Sequence, residues 1–142
     1  MKDIINMANR FADRADFLMV YIAEAHAADE WPVGDPVVAN QPKRLKERLS
    51  LANSFVSEYS IDKEPLLHMV VDNLSDMSPH ESDPADRAYA FWPTRFYVVD
   101  SCGKISYKAN PNQTHEYKLD DLATFLEGVV GQPALPEAAQ LL

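Results

Sequence analysis

Cysteine is almost absent from this chain: Cys102 is the only one among 142 residues. That excludes a disulfide within the chain and a zinc cluster built from several thiolates. Basic residues are outnumbered, 13 against 22 acidic, for a net charge of −9. Such a surface repels phosphate backbones, so nucleic acid is not an expected partner. The acids never adopt the spacing of an EF-hand loop, so no calcium site is implied. Met1 to Arg14 has no uninterrupted apolar stretch and does not read as a signal peptide. No run reaches the roughly 20 apolar residues a membrane helix needs. What remains is a chain with 46% apolar residues, long enough for one compact domain. As it stands it reads as soluble and cytoplasmic.

Apolar periodicity supplies the elements. Ile4, Met7, Ala8, Phe11 and Ala15 recur at three- and four-residue steps and predict a helix over Lys2 to Ala15. Phe17 to Ile22 is apolar throughout, as in a strand covered on both faces in a parallel sheet. A polar loop runs from Glu24 to Trp31, and prolines keep the chain irregular to Pro42. Leu45, Leu49, Ala52, Val56 and Tyr59 form the stripe of a second helix over Lys43 to Tyr59, with Phe55 beside it. Leu66 to Val71 is a second strand. Asp72 to Ala90 reads as a long acidic surface loop with one helical turn. Thr94 to Val99 and Lys104 to Lys108 form a hairpin around Gly103, which is free to take positive φ. Leu119, Leu122, Phe125, Leu126 and Val129 mark a last helix, stopped by Gly131 and Pro133. The order helix, strand, helix, strand, loop, hairpin, helix is that of an α/β domain over 1–130, with a flexible tail over 131–142. A right-handed crossover unit needs a strand before its first helix, and none precedes this one.

Three segments resemble the iodothyronine deiodinases. One is Ala15-Asp16-Phe17-Leu18-Met19-Val20-Tyr21-Ile22-Ala23-Glu24-Ala25-His26-Ala27-Ala28-Asp29-Glu30-Trp31; another is Val70-Val71-Asp72-Asn73; the third is Arg95-Phe96-Tyr97-Val98-Val99 with Ile105-Ser106-Tyr107-Lys108. The first is the specific one. The resemblance implies a thioredoxin-like fold and a Ser-Cys-Thr-selenocysteine-Pro-Pro-Phe turn between a buried strand and the first helix. Met1 falls where a methionine often follows that turn. The expectation is therefore an incomplete domain, whose central strand and nucleophile are encoded upstream, beyond a UGA codon read as termination. Departures exist: Ala23 replaces the first of the family's two glutamates, Gln41 stands for a second family histidine, and the loop from Ser75 to Trp92 is long.

His26 lies just past a buried strand, where α/β proteins gather ligand groups, and its imidazole exchanges protons near neutral pH. By its residues alone it reads equally as a loop histidine packed on Trp31; the resemblance favours catalysis. If Ala23 to His26 is extended, Glu24 projects to the same face and can orient the imidazole; otherwise it is a solvated acid. Pro93 is the candidate for the cis-proline that thioredoxin-like proteins place before the strand facing the site; the alternative is a trans proline opening a strand. Arg95 matches a basic family position and can bind a substrate carboxylate, or pair with Asp72 or Glu24. Trp31 offers an aromatic wall for an iodinated ring, or a core plug. Cys102 reads as an exposed turn residue, and His68, His80 and His115 have no metal-ligand spacing.

The resemblance implies reductive removal of iodide from an iodothyronine-like phenol, with no bound cofactor and a thiol reductant as co-substrate. It also implies that the chain alone lacks its nucleophile and is inactive. A homodimer, and a membrane anchor in the missing upstream segment, are compatible with it. Two alternatives stay open: a glutathione peroxidase-like thiol or peroxide oxidoreductase, and a redox-inactive thioredoxin-like binding module.

Overall fold

The computed structural model describes residues 1–33, 39–76, 81–90, 94–109 and 118–129. The first helix, α1 (Lys2–Arg10), buries Met7 and Ala8 and ends earlier than its periodicity predicts. The Phe11 carbonyl accepts from both Arg14 N–H and Ala15 N–H at 3.0 Å. This tightened turn stops the helix and turns the chain into β1 (Phe17–Tyr21).

Glu47 opens α2 (Leu45–Tyr59), its carboxylate accepting from Lys43 N–H at 2.9 Å and Arg44 N–H at 3.2 Å. A left-handed Ser60 (φ 53°) closes the helix, and a 3₁₀ turn over Ile61–Lys63 leads to β2 (Leu67–Val71). β1 and β2 pair in parallel from Phe17↔Leu67 to Tyr21↔Val71. Asp72 N–H extends the pairing to the Tyr21 carbonyl at 2.8 Å.

Alternation places Met19, Tyr21, Leu67 and Met69 on one face of this pair. There the Tyr21 ring meets Phe55 of α2 edge to face, 5.7 Å between centroids. The opposite face is open: Leu18 is 62% and Val70 46% exposed. The uniformly apolar β1 predicted cover on both sides, but the described residues bring none to Leu18 and Val70. The stripe expected on α2 is also rotated. Arg48 and Ala52 are its buried residues, while Leu49 and Tyr59 are each 41% exposed.

β3 (Tyr97–Val99) and β4 (Ile105–Lys108) form the antiparallel hairpin, with an irregularity between Val98 and Val99. At its tip the Asp100 carboxylate accepts from Cys102 N–H and Lys104 N–H, both at 2.9 Å. Gly103 takes φ +76° there, a conformation an L side chain resists. Cys102 is exposed and free.

The core lies between the first helix, the hairpin and α4 (Leu119–Val129). Met7, Phe11, Leu122, Ala123 and Leu126 form its buried cluster, with Phe17, Phe96, Val98, Tyr107 and Leu119 packed around it. An ion pair between Arg10 and Glu127 ties α1 to α4. The architecture is α/β, with two two-stranded sheets that share no ladder among the described residues.

The acidic loop after β2 contains a short helix, α3 (Pro84–Tyr89), in place of a single turn. Asp72, 4% exposed, holds its start: the carboxylate accepts from Ala85 N–H and Asp86 N–H at 3.0 Å and from Asn73 N–H at 3.1 Å. No helix among the described residues is long and apolar enough to cross a membrane.

Candidate functional site

The chain leaving β1 does not stay extended. It bends at Ala23 and turns at Ala25 and His26. A second turn follows, in which the Ala27 carbonyl accepts from Glu30 N–H at 3.2 Å and Trp31 N–H at 3.1 Å. Ala27 is only 1% exposed and anchors the loop from below. Ala28 N–H donates to the Ala39 carbonyl at 2.9 Å, which brings the segment before α2 alongside.

His26 is exposed on this turn. Its ring meets Trp31 edge to face at 5.3 Å, and Nδ1 lies 3.4 Å from the Trp31 carbonyl oxygen. That oxygen can only accept, so the contact, though long, favours the tautomer with the proton on Nδ1. Nε2 is then the nitrogen with a free lone pair. Trp31, 58% exposed, is a wall beside the imidazole and not the core plug of the alternative reading.

Glu24 does not orient His26. Its carboxylate accepts from the Tyr21 hydroxyl, and no hydrogen bond joins it to the imidazole. The expectation required an extended Ala23–His26 segment, and the turn at Ala25 sends the two side chains to different partners. Burial holds the Tyr21 phenol well above its usual range, reinforced by the hydrogen bond to Glu24 and by that group's charge, while Arg48 opposes them.

Gln41 closes the loop. Its Oε1 accepts from Glu24 N–H at 3.0 Å, and its Nε2 donates to the Glu24 carbonyl at 3.0 Å and to the Glu30 carboxylate at 3.1 Å. Its own N–H donates to Asp29 Oδ1 at 2.8 Å. Only one orientation of the amide satisfies all these partners.

Behind the loop sits Arg48, 2% exposed. Its Nη1 donates to the Asp72 carbonyl at 3.2 Å and the Asn73 carbonyl at 3.5 Å, and pairs with Asp83 at 2.5 Å. The sequence reading missed both Tyr21 and Arg48 as members of a polar network. The available signal was an arginine in phase with Ala52, Phe55 and Tyr59 on α2.

The structure therefore groups Glu24, His26 and Trp31 in one loop beyond β1. Arg95 precedes β3, its Nη1 donating to the Thr94 carbonyl at 2.8 Å. It pairs with neither acid expected of it: Asp72 is occupied by backbone amides and Glu24 by Tyr21. Pro93, His80 and His115 lie outside the described residues. Among the described residues, no group of three His, Cys, Asp or Glu side chains could hold a metal ion.

Comparison with known proteins gives a consistent answer. The model of the iodothyronine deiodinase family matches residues 1–130. A type I iodothyronine deiodinase of Xenopus laevis is 32% identical over 121 residues, covering 85% of this chain and 42% of the relative. Thyroxine 5-deiodinases of Sparus aurata and Homo sapiens are 30% and 29% identical over 122 residues, covering 85% of this chain and 40% and 36% of the relatives. The chain thus spans about two-fifths of the length of the curated relatives it matches.

Proposed function

The chain belongs to the iodothyronine deiodinase family, and we propose that it is the proton-handling part of a thioredoxin-like reductive deiodinase. The observation that carries this reading is the exposed His26 imidazole, turned edge-on to Trp31 at the carboxyl end of a parallel strand. Ligand groups collect at that end in α/β sheets. The two sheets share no ladder among the described residues, which supports a thioredoxin-like arrangement with a further strand between them. The exposed Leu18 and Val70 are compatible with a sheet that has more to bury.

The chemistry then divides between two parts. A selenolate or thiolate, from a turn upstream of these residues, takes iodine from the phenolic ring; the chalcogen–iodine bond forms as carbon–iodine breaks. The ring carbon needs a proton in place of iodine. His26, through Nε2, accepts a hydrogen bond from the phenolic hydroxyl or, once protonated at Nε2, delivers that proton. A thiol reductant attacks the chalcogen, releasing iodide and leaving a mixed bond. A second thiol restores the nucleophile and leaves as disulfide. Arg95 is the candidate for the substrate's carboxylate, and Trp31 for one face of its ring. The chain alone, without the nucleophile, is inactive.

The test is iodide release from an iodothyronine by the chain joined to its upstream nucleophile turn, with a dithiol present. Release above the dithiol background supports the reading. Reduction of peroxide without iodide release would instead favour a peroxidase-like activity, and neither reaction would leave a binding module.

A further inference from the structure

Gln41 is bonded to both ends of the turn that carries His26. On one side its carboxamide takes the N–H and the C=O of Glu24, two residues before the imidazole. On the other side its N–H and Nε2 engage the carboxylates of Asp29 and Glu30, three and four residues after it. Two opposed hydrogen bonds to one residue's backbone imitate the contact a neighbouring strand would make. The β1 pairing stops at the Tyr21 carbonyl, and a side chain takes up the same role three residues further on. Among the described residues, the Gln41 amide and the Ala28–Ala39 bond tie the turn to the segment before α2.

We infer that Gln41 is the positioning residue of this site, and that its carboxamide fixes the turn so that the His26 ring stands against Trp31. That a fixed His26 serves proton transfer rests on the function proposed above; that Gln41 fixes it does not. Removing the side chain leaves Glu24 N–H and C=O to water and frees the Glu30 carboxylate, while the backbone N–H of residue 41 keeps Asp29. Losing three side-chain hydrogen bonds of ordinary strength shifts the ratio of closed to open turn by about 10-fold or more.

Trp31 is its own reporter, because a protonated imidazole at 5.3 Å quenches indole emission and a distant one does not. The experiment uses the full chain carrying Trp92→Phe, so that Trp31 is its one tryptophan, and follows emission as the solution is acidified. The parent shows a quenching step that His26→Asn abolishes. Gln41→Ala and Gln41→Met each lose most of that step, while hydrogen-exchange protection of the β1–β2 amides is unchanged. Gln41→Met keeps the side-chain length and reads the same loss if the alanine variant does not fold.

Full quenching amplitude in both variants would overturn the inference, and so would a parent with no His26-dependent step. The readout needs no turnover. An upstream-completed chain that releases no iodide, yet whose step depends on Gln41, would remove the proposed function and leave the positioning role standing.

Discussion

Arg48 is a residue whose removal the structure makes costly. It is 2% exposed, and its charge is met by Asp83 at 2.5 Å and by the Asp72 carbonyl at 3.2 Å. Its Nε has no partner among the described residues, so some of its desolvation is uncompensated by them. Arg48→Ala removes a charged donor, leaves the Asp72 carbonyl unpaired and opens a void under α2. Breaking a buried pair from one side costs about 3–5 kcal/mol. At about 3 °C per kcal/mol for a chain of this size, that is a loss of about 10 °C or more in Tm.

Asp83 is 30% exposed at its side chain, so its charge still reaches water when Arg48 is gone. Asp83→Asn leaves the worse orphan, a buried guanidinium, but keeps a neutral acceptor, and should cost about 1–3 kcal/mol. Arg48→Met fills most of the space and buries no charge, and should fall below the alanine variant. Urea unfolding of the chain and of the three variants, followed by far-ultraviolet circular dichroism, gives the order directly. An Arg48→Ala loss below about 1 kcal/mol, the size expected of an exposed ion pair, would refute the buried-network argument.

Other expectations follow from single contacts. Asp72→Ala removes the acceptor for the first amides of α3 and should cost about 1–2 kcal/mol, with hydrogen exchange at Ala85 and Asp86 accelerating ahead of the rest. Tyr21 ionises above its usual range in the folded chain, so its contribution to stability is intact below the unfolded tyrosine value of about 10 and declines as pH rises beyond it. Tyr21→Phe should therefore flatten the fall in stability above that pH, although Tyr107, raised by burial and by Asp121, keeps part of the slope. Leu126→Ala, in the cluster between α1 and α4, should cost about 2–5 kcal/mol in the same urea assay.

The elements whose side-chain period matched one buried face were legible in the sequence. α4 begins and ends where Leu119, Leu122, Leu126 and Val129 place it, and the hairpin follows from Gly103 between two short apolar runs. Two other readings failed for definite reasons. The α2 stripe was traced through apolar residues alone, which set it toward Leu49 and left Arg48 unread; a buried arginine is visible only when Asp72 and Asp83 are brought to it from the following loop. Glu24 was placed beside His26 by assuming extended backbone, and nothing local to Ala23–His26 announced the turn. The bonds to Gln41 that brace it come from 17 residues away. His26 and Trp31 were found together because their partnership is local, five residues apart on one loop.

The central claim is that His26 handles the proton of a reductive deiodination. It is tested most directly by single-turnover iodide release from the chain completed with its upstream nucleophile, compared with the same protein carrying His26→Asn. A general acid or base contributes about 10²–10⁴-fold, so the variant should lose at least a hundredfold in rate while its nucleophile still reacts with an alkylating agent at the parent's rate. An unchanged iodide-release rate in His26→Asn would contradict it.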